Sequence, residues 1–368
     1  MIAPLLATVL MSQSAQFSSL FRVPLSPRFD FEVSVIESER IRPGMDWDEA
    51  IVSWNVSNSD QAWLKIEARG VWPDNASRWY VLGDWTGDMA KGPRASVPDQ
   101  KDADGEVLTD VLRFKENCQE LKLRITSKKI GDGPTPNLKL LTVSFSSSTA
   151  PSPEPRSNRT AHGKVLEAPR LSQIPHESGK LAFNPDKVSD SFKEWFRKVK
   201  EAQYCSPTCV AMVASHWGAR LKRAEMMVQV PQVVAAVYDE KYPGTGNWPF
   251  NTAYLGSFEG MRSYVTRLSC IEDLETLIGK DIPVVCSVSS NLLKGKPPGG
   301  DGHLIVLVGF NKDGDPVFND PGKSDEIRRT YKRADFIKAW NQSKRTVYIC
   351  HPESIKLPKL RESSILLD

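Results

Sequence analysis

The sequence contains little histidine and little cysteine, and it has no apolar run long enough to cross a membrane. Five histidines and six cysteines occur in 368 residues, too few cysteines for a fold held together by disulfides. Basic and acidic residues nearly cancel, 48 against 45, so charge gives no indication of a nucleic-acid partner. Without an apolar stretch of about 20 residues, we expect no integral membrane segment.

The first residues are the most apolar part of the chain. Residues 1–11 read MIAPLLATVLM without a charge, and the small residues of 12–15 follow. This pattern is typical of a signal peptide and its cleavage site, although the basic n-region is missing. We therefore expect residues 1–15 to be a signal peptide of a secreted or periplasmic protein, with a cytoplasmic protein as the alternative.

Composition divides the rest of the chain into two domains. Residues 147–164 are rich in Ser, Pro and Thr and have no apolar period, which is typical of a linker. The linker separates an N-terminal domain at 28–146 from a C-terminal domain at 165–356. Both lengths are ordinary for single domains.

The N-terminal domain has the alternating pattern of short strands separated by turn residues. This pattern predicts an antiparallel β-sandwich. The predicted strands are 31–38, 50–56, 62–71, 79–85, 107–114, 120–127 and 138–145.

Four aromatic residues of this domain, Trp72, Trp79, Tyr80 and Trp85, have two interpretations. Burial between the sheets is favoured, because large aromatic side chains are mostly buried. The alternative is a flat platform that contacts a glycan or a cell surface.

The C-terminal domain has helical patterns first and strand patterns afterwards. This order predicts an α+β fold with an antiparallel sheet. The predicted helices are 192–203, one from 207 onward, 224–238 interrupted near Pro231, 251–260, 271–280 and 333–343, and the predicted strands are 282–289, 303–310, 315–320 and 346–350.

Cys205 stands at the start of an apolar run, YCSPTCVAMVASHWG, at 204–218. Pro207 suits the first turn of a helix and Ser206 is a suitable cap, so Cys205 is predicted at the helix N-terminus. Backbone N–H groups and the positive dipole end lower the pKa of a thiol there. Cys205 is therefore a candidate nucleophile.

Two other interpretations pair Cys205 with Cys209. A metal site would need further ligands at zinc spacing, which the sequence lacks. A disulfide between positions i and i+4 of one helix has poor geometry. Burial as a small apolar side chain suits Cys209, which lies one helical turn further in.

A thiolate needs a partner that transfers a proton. By position, His162 lies in the linker, His176 in a loop, His216 far along the helix and His351 before a proline. His303 follows a glycine-rich loop and opens an apolar strand, so it is the candidate partner.

Asp320 is the candidate for orienting that imidazole. It ends the predicted strand 315–320, one hairpin after His303, and antiparallel neighbours would bring it back to the same end. An ordinary turn at Asn319–Pro321 explains the same residues equally well.

These motifs together resemble those of the C39-like peptidases in the papain-like cysteine protease superfamily. The similarity rests on residues 204–218, on GHLIVLVGFNKDGDPVFNDPG at 302–322 and on RRTYKRADFIKAWNQSKRTVYICHP at 328–352. It extends weakly into the N-terminal domain at SRWYVLGDW, residues 77–85, and DADGEVLTD, residues 102–110. Cys209 stands where the family motif has Ser.

The resemblance implies a papain-like fold, a peptide or protein substrate, and no metal or organic cofactor. It also implies a glutamine upstream of the cysteine as an oxyanion donor. Gln173 in PRLSQIPHE matches the family pattern and is favoured, and Gln203 in AQYCSPT is the alternative.

The leading hypothesis is a cysteine peptidase in which Cys205 attacks, His303 transfers protons, Asp320 orients His303 and Gln173 binds the oxyanion. Two alternatives stay open. One is another thiol acyl-transfer enzyme, an amidase or a transglutaminase-like transferase. The other is a non-catalytic secreted protein that binds peptides or glycans.

Overall fold

The computed structural model describes residues 18–24, 34–150, 157, 159–173, 186, 188–198, 204–300, 302–357, 360 and 363–366. In the described residues before 150, the regular structure is strand apart from one short 3₁₀ turn at Ser59–Gln61. The strands are β1 Ser18–Arg22, β2 Ser34–Glu37, β3 Trp47–Ser57, β4 Ala62–Val71, β5 Tyr80–Thr86, β6 Gly105–Leu108, β7 Val111–Cys118, β8 Glu120–Lys129 and β9 Asn137–Ser146.

The later residues mix helices and strands. They form α1 Asp190–Lys198, α2 Cys205–Leu221, α3 Val230–Val237, α4 Trp248–Ser257, β10 Met261–Arg267, α5 Ile271–Gly279, β11 Val284–Ser289, α6 Ser290–Leu293, β12 Gly302–Phe310, β13 Pro316–Asn319, β14 Arg328–Thr330, α7 Arg333–Asn341, β15 Thr346–Pro352 and β16 Ser363–Leu366. The expected all-β region followed by a region of helices and antiparallel sheet is confirmed.

The strands form three sheets. Two belong mainly to the N-terminal part, with the orders β16-β1-β9-β3-β7-β6 and β2-β8-β4-β5. The third has the order β10-β15-β11-β12-β13-β14 and lies in the C-terminal part. All described strand pairs are antiparallel except β1 with β16.

The two N-terminal sheets share one apolar core. Trp47 and Trp54 from β3 lie in the same buried cluster as Leu64 from β4 and Ile125 from β8. Alternate residues of β4 enter this cluster, Ala62, Leu64, Ile66 and Ala68, as the two-residue period of a strand requires. The C-terminal sheet and α2 have a separate core, which includes Met212.

The strand predicted at 107–114 is instead a tight hairpin of β6 and β7. Thr109 has a φ of 60°, and Asp110 N–H donates to Leu108 O at 2.6 Å. The apolar residues on both sides gave a continuous strand pattern. The turn has no glycine or proline that would have revealed it.

Buried polar contacts join the N-terminal and C-terminal parts. Asn55 on β3 donates to Ser263 O at 2.7 Å and accepts from Ser263 N–H at 2.8 Å. Arg94 is buried and donates to the carbonyls of Tyr238, at 2.9 Å, and Ala235, at the end of α3. Because each group would lose its partner if the parts separated, the contact between them is specific.

Part of the predicted linker packs against the C-terminal sheet. Ala161 is buried, and Phe310 N–H donates to Lys164 O at 2.9 Å. His162 contacts the buried Glu275 at 3.2 Å. Ser, Pro and Thr content therefore did not reveal the ordered contacts in this segment.

No helix within the described ranges combines the length and the apolar character that a membrane span requires.

Gly256 allows α4 to lie against β3. A Cβ on Gly256 would overlap the Asn55 amide, which is held on both sides by Ser263. We expect Gly256→Ala to lower the free energy of unfolding by about 2–4 kcal/mol through overpacking and lost hydrogen bonds. Urea unfolding of the full chain measures it.

Gly279→Ala is the matched control, since Gly279 also lies in a helix and its Cβ would meet nothing closer than Thr160 Oγ1 at 3.9 Å. It should leave stability unchanged or raise it by about 0.5–1 kcal/mol. Equal effects of the two substitutions would contradict the packing argument.

Candidate active site

Cys205 is the first residue of α2, and Tyr204 occupies the cap position. Ser206 is therefore not the helix cap that the sequence predicted. Its hydroxyl lies 3.0 Å from the Tyr348 hydroxyl on β15, which ties the first turn of α2 to the sheet. Thr208 N–H and its hydroxyl both bond Tyr204 O, at 3.0 and 2.7 Å.

His303 and Asp320 are brought together by the pairing of β12 with β13. His303 is the second residue of β12, and Asp320 directly follows β13. The distance from His303 Nε2 to Asp320 Oδ1 is 2.7 Å. This bond occupies Nε2, so Nδ1 is the ring nitrogen that remains for a thiol.

Electrostatics couple Cys205 to His303. Burial by itself would raise the pKa of the Cys205 thiol, but the hydrogen bond to His303 and its positive charge outweigh burial and lower that pKa. Burial would likewise lower the pKa of His303, yet its bonds to Asp320 and Cys205 raise it to about 9. Both shifts act in the direction of a thiolate–imidazolium pair.

Asp320 is held by more than His303. Gly322 N–H donates to its Oδ1 at 2.9 Å, and the Tyr331 hydroxyl donates to its Oδ2 at 2.7 Å. Burial opposes ionisation, but the hydrogen bond and charge of His303 and the bonds from Tyr331 and Gly322 lower the pKa of Asp320 to about 2. Asp320 is therefore a carboxylate at every physiological pH.

Tyr331 and Gly322 were not identified from the sequence. Tyr331 follows the three-residue strand β14, which had no recognisable strand pattern. Gly322 is close to the imidazole, because a Cβ there would lie 3.3 Å from His303 Nε2. A glycine two residues after Asp320 was the only available signal, and it matches many ordinary turns.

Gln173 lies beside the turn that follows Asp320. Its backbone N–H donates to Pro321 O at 2.9 Å, and its side chain is buried. Among the described residues, its Oε1 has no hydrogen-bond partner, so the side-chain amide is not committed to a structural bond through that atom. The alternative, Gln203, lies outside the described residues.

Cys209 is buried, and its thiol donates to Leu304 O at 3.2 Å. Burial raises its pKa well above the ordinary value, so it stays a neutral thiol. All six cysteines of the chain are described and none forms a disulfide.

The other described histidines do not approach Cys205. Nδ1 of His216 contacts Glu167 O at 3.0 Å, and Nδ1 of His351 contacts Pro352 O at 2.8 Å. His176 lies outside the described residues. Within the described residues, no group of three or more His, Cys, Asp or Glu side chains could hold a metal ion.

The four aromatic residues of the N-terminal part do not form one platform. Tyr80 and Trp85 are buried, as the favoured interpretation of the sequence had it. Trp72 donates its indole N–H to Asn117 O at 2.9 Å. The guanidinium groups of Arg69 and Arg124 lie 4.6 and 4.5 Å from the ring centroid of Trp79.

Thiol acyl-transfer enzymes as a class use a thiol at a helix N-terminus, coupled to an imidazole that is hydrogen-bonded to a carboxylate. Residues 165–348 match the model of the Peptidase_C39 like family, and residues 15–146 match that of the Peptidase C39 N-terminal domain. The chain belongs to the Peptidase_C39 like family, which points to peptidase activity.

Two solved structures show weaker similarity. A candidate C39-like peptidase from Bacillus anthracis is 15% identical, covers 52% of this chain and 98% of its own, and has a TM-score of 0.33. The infectious bursal disease virus Gx strain structure is 11% identical, covers 36% of this chain and 30% of its own, and has a TM-score of 0.18. Comparison with curated proteins gives no match.

The pairing of Cys205 with His303 predicts selective alkylation of one thiol. At pH 7, iodoacetamide should react with Cys205 faster than with an ordinary thiol, and His303→Ala should slow the reaction about tenfold or more, since one pKa unit changes the thiolate fraction tenfold. Alkylation followed by mass-spectrometric mapping measures both rates.

Cys209 is the internal control, because it is buried and neutral. Alkylation of Cys209 before Cys205, or an unchanged Cys205 rate in His303→Ala, would contradict the assigned ion pair.

Tyr331 predicts a stability change that depends on pH. The pKa of Asp320 is depressed from 3.8 to about 2, so its contribution to stability is present above pH 4 and is lost as pH falls toward 2. Tyr331→Phe removes one of the bonds responsible and should cost about 1–2 kcal/mol at pH 7. The difference in free energy of unfolding between Tyr331→Phe and the unsubstituted chain, here called the gap, should narrow between pH 4 and pH 2.

Urea unfolding at several pH values measures that gap. Tyr242→Phe, at a tyrosine that is 53% exposed, is the control and should change little. A gap for Tyr331→Phe that stays constant down to pH 2 would show that Tyr331 acts by packing alone.

Proposed function

We propose that the protein is a cysteine peptidase that hydrolyses peptide bonds through a thioester acyl-enzyme. The proposal is carried by the 2.7 Å bond from His303 Nε2 to Asp320 Oδ1, together with the electrostatic coupling of His303 to the Cys205 thiol. Membership of the Peptidase_C39 like family supports the same activity.

The roles follow from the protonation states. The Cys205 thiolate attacks the carbonyl carbon of the substrate, and the carbonyl π-electrons move onto oxygen. The His303 imidazolium then gives its proton to the leaving amine as the C–N bond breaks. Neutral His303 next takes a proton from water, which attacks the thioester and releases the acid and the thiolate.

Asp320 keeps the His303 imidazole in one orientation and stabilises its positive charge. The oxyanion is stabilised by the Cys205 N–H at the start of α2 and by the side-chain amide of Gln173. The position of Gln173 supports this assignment, because its backbone N–H donates to Pro321 O in the turn that follows Asp320.

The proposal extends to the arrangement of the chain. The C-terminal part is proposed to be papain-like, with the nucleophile on α2 and its partners on the sheet. The N-terminal part is proposed to be a β-sandwich. Secretion belongs to the proposal as well and rests on residues 1–15 alone, which lie outside the described residues.

Cys205→Ala and His303→Ala should each lower kcat/KM by about 10³-fold or more, because each removes a group that takes part in bond making or proton transfer. Incubation of the full chain with a peptide library, followed by mass spectrometry of the products, measures hydrolysis. Cys209→Ala is the matched control and should keep most of the activity.

An amine added as an alternative acceptor distinguishes hydrolysis from transfer. Release of the free acid supports the peptidase. A product in which the amine replaces water at most turnovers would favour a transferase, and undiminished cleavage by Cys205→Ala would overturn the site.

A further inference from the structure

A cavity of about 350 Å³ lies where the β6–β7 hairpin of the N-terminal part meets the C-terminal sheet. Its walls come from the hairpin, the loop before α4, the end of β10 and the residues just before β15. The volume falls within the range of about 300–1,000 Å³ that is usual for ligand pockets. It is separate from Cys205, which is not among the lining residues.

Three basic side chains line this cavity and share one carboxylate. Arg113, Arg267 and Lys344 all bond Glu49, the first at 2.6 Å and the last at 2.7 Å. Glu49 is wholly buried, and although burial opposes its ionisation, Arg267 and Lys344 lower its pKa to about 2. One negative charge therefore faces three positive ones.

Arg267 is nearly inaccessible, whereas the other two cations reach the cavity. The side chains of Arg113 and Lys344 are 40% and 32% exposed. Two acidic groups reduce the excess of positive charge around the cavity. Glu106 lies 3.8 Å from Arg113, and Asp110 accepts from Trp248 N–H at 2.6 Å with its pKa raised to about 7 by burial.

The cavity and the candidate active site lie along the same edge of the C-terminal sheet. β12 begins at this edge, and His303 is its second residue. β11 ends at the same edge, where Ser289 pairs with Gly302, and β15 begins there. Since β11 separates β12 from β15, two strand spacings of about 4.8 Å, or roughly 10 Å, lie between them.

One hydrogen bond joins the cavity to β11, the strand next to β12. Ser343, which lines the cavity next to Lys344, donates its hydroxyl to Ser287 O at 2.6 Å. Ser287 pairs with Leu304, the residue after His303. An extended peptide advances about 3.3 Å per residue, so a substrate lying across the strand ends would reach the cavity about three residues from the bond that is cleaved.

We propose that this cavity is a substrate subsite that binds a carboxylate group of the peptide, an acidic side chain or a free C-terminus, through Lys344 and Arg113. The inference rests on the proposed peptidase function and adds a substrate class to it. It also assigns a role to the N-terminal part, because Arg113 lies on β7 and the hairpin forms one wall.

The test uses pairs of otherwise neutral peptides that differ by Glu or Gln at each of the four positions on either side of the cleaved bond. Glu should raise kcat/KM roughly tenfold at one position about three residues away, as a charge-assisted hydrogen bond allows. Peptides ending at that position with a free or amidated C-terminus distinguish a terminal carboxylate from a side chain.

The ratio of Glu to Gln rates is the readout, since a general loss of folding lowers both. Lys344→Glu and Arg113→Glu should each reduce the ratio to about one or invert it. Lys128→Glu, on an exposed part of β8, is the matched control and should keep the preference. Equal Glu and Gln rates at every position, or a preference that survives both substitutions, would overturn the subsite.

Binding to the full-length Cys205→Ala chain separates this inference from the proposed function. Fluorescence anisotropy should show tighter binding of the Glu peptide than of the Gln peptide, and adding Lys344→Glu should remove the difference. That result without hydrolysis by the unsubstituted chain would support the carboxylate site and overturn the peptidase. Hydrolysis with no preference for the Glu peptide in rate or in binding would support the peptidase and overturn the carboxylate site.

Discussion

The hydrogen bond between His303 and Asp320 is the constraint on which the proposed chemistry depends. It requires β12 and β13 to pair in one register, because a slip of one residue would turn the side chains to the opposite face. The register includes an irregularity between Leu307 and Gly309. Gly309 has no room for a Cβ against Lys164 O, so the end of the predicted linker helps to define where β12 lies.

The same pair of residues links the site to its surroundings. Asp320 forms hydrogen bonds with His303, Gly322 and Tyr331. Tyr331 directly follows β14, 11 residues further along the chain. Cys205 is positioned from the other side of the site through Ser206 and Tyr348. Each group of the candidate site is therefore held by a separate part of the sheet, which fixes their relative positions.

The start of α2 at Cys205 and the pairing of His303 with Asp320 were predictable because their local signals are strong. A proline two residues after Cys205 marks a helix start, and an Asp-Gly turn between two apolar strands predicts the hairpin that returns Asp320 to His303. The α+β order and most strands also followed from periodicity. These features depend on short stretches of sequence, where propensity and pattern agree.

The parts that were missed depend on distant contacts. β10 carries Arg262 and Arg267 within a short apolar pattern, and its pairing with β15 spans nearly half of the C-terminal part. The shared Glu49 has no local signal of its role, because its partners lie 64 or more residues away in the sequence. Tyr331 lies 11 residues from Asp320, beyond a strand that has no recognisable pattern. Burial of polar residues such as Asn55 is decided by which surfaces meet, and no local period reports that.

The pairing of β16 with β1 has a consequence for the order in which the protein is made. β1 is among the first described residues and β16 among the last, yet they are neighbours in one sheet. On the ribosome, β1 lacks this neighbour until residues 363–366 have been synthesised. The early strands must wait with an unpaired edge, which slows completion of the fold and makes this interval the one in which strand-to-strand association between nascent chains is most favoured.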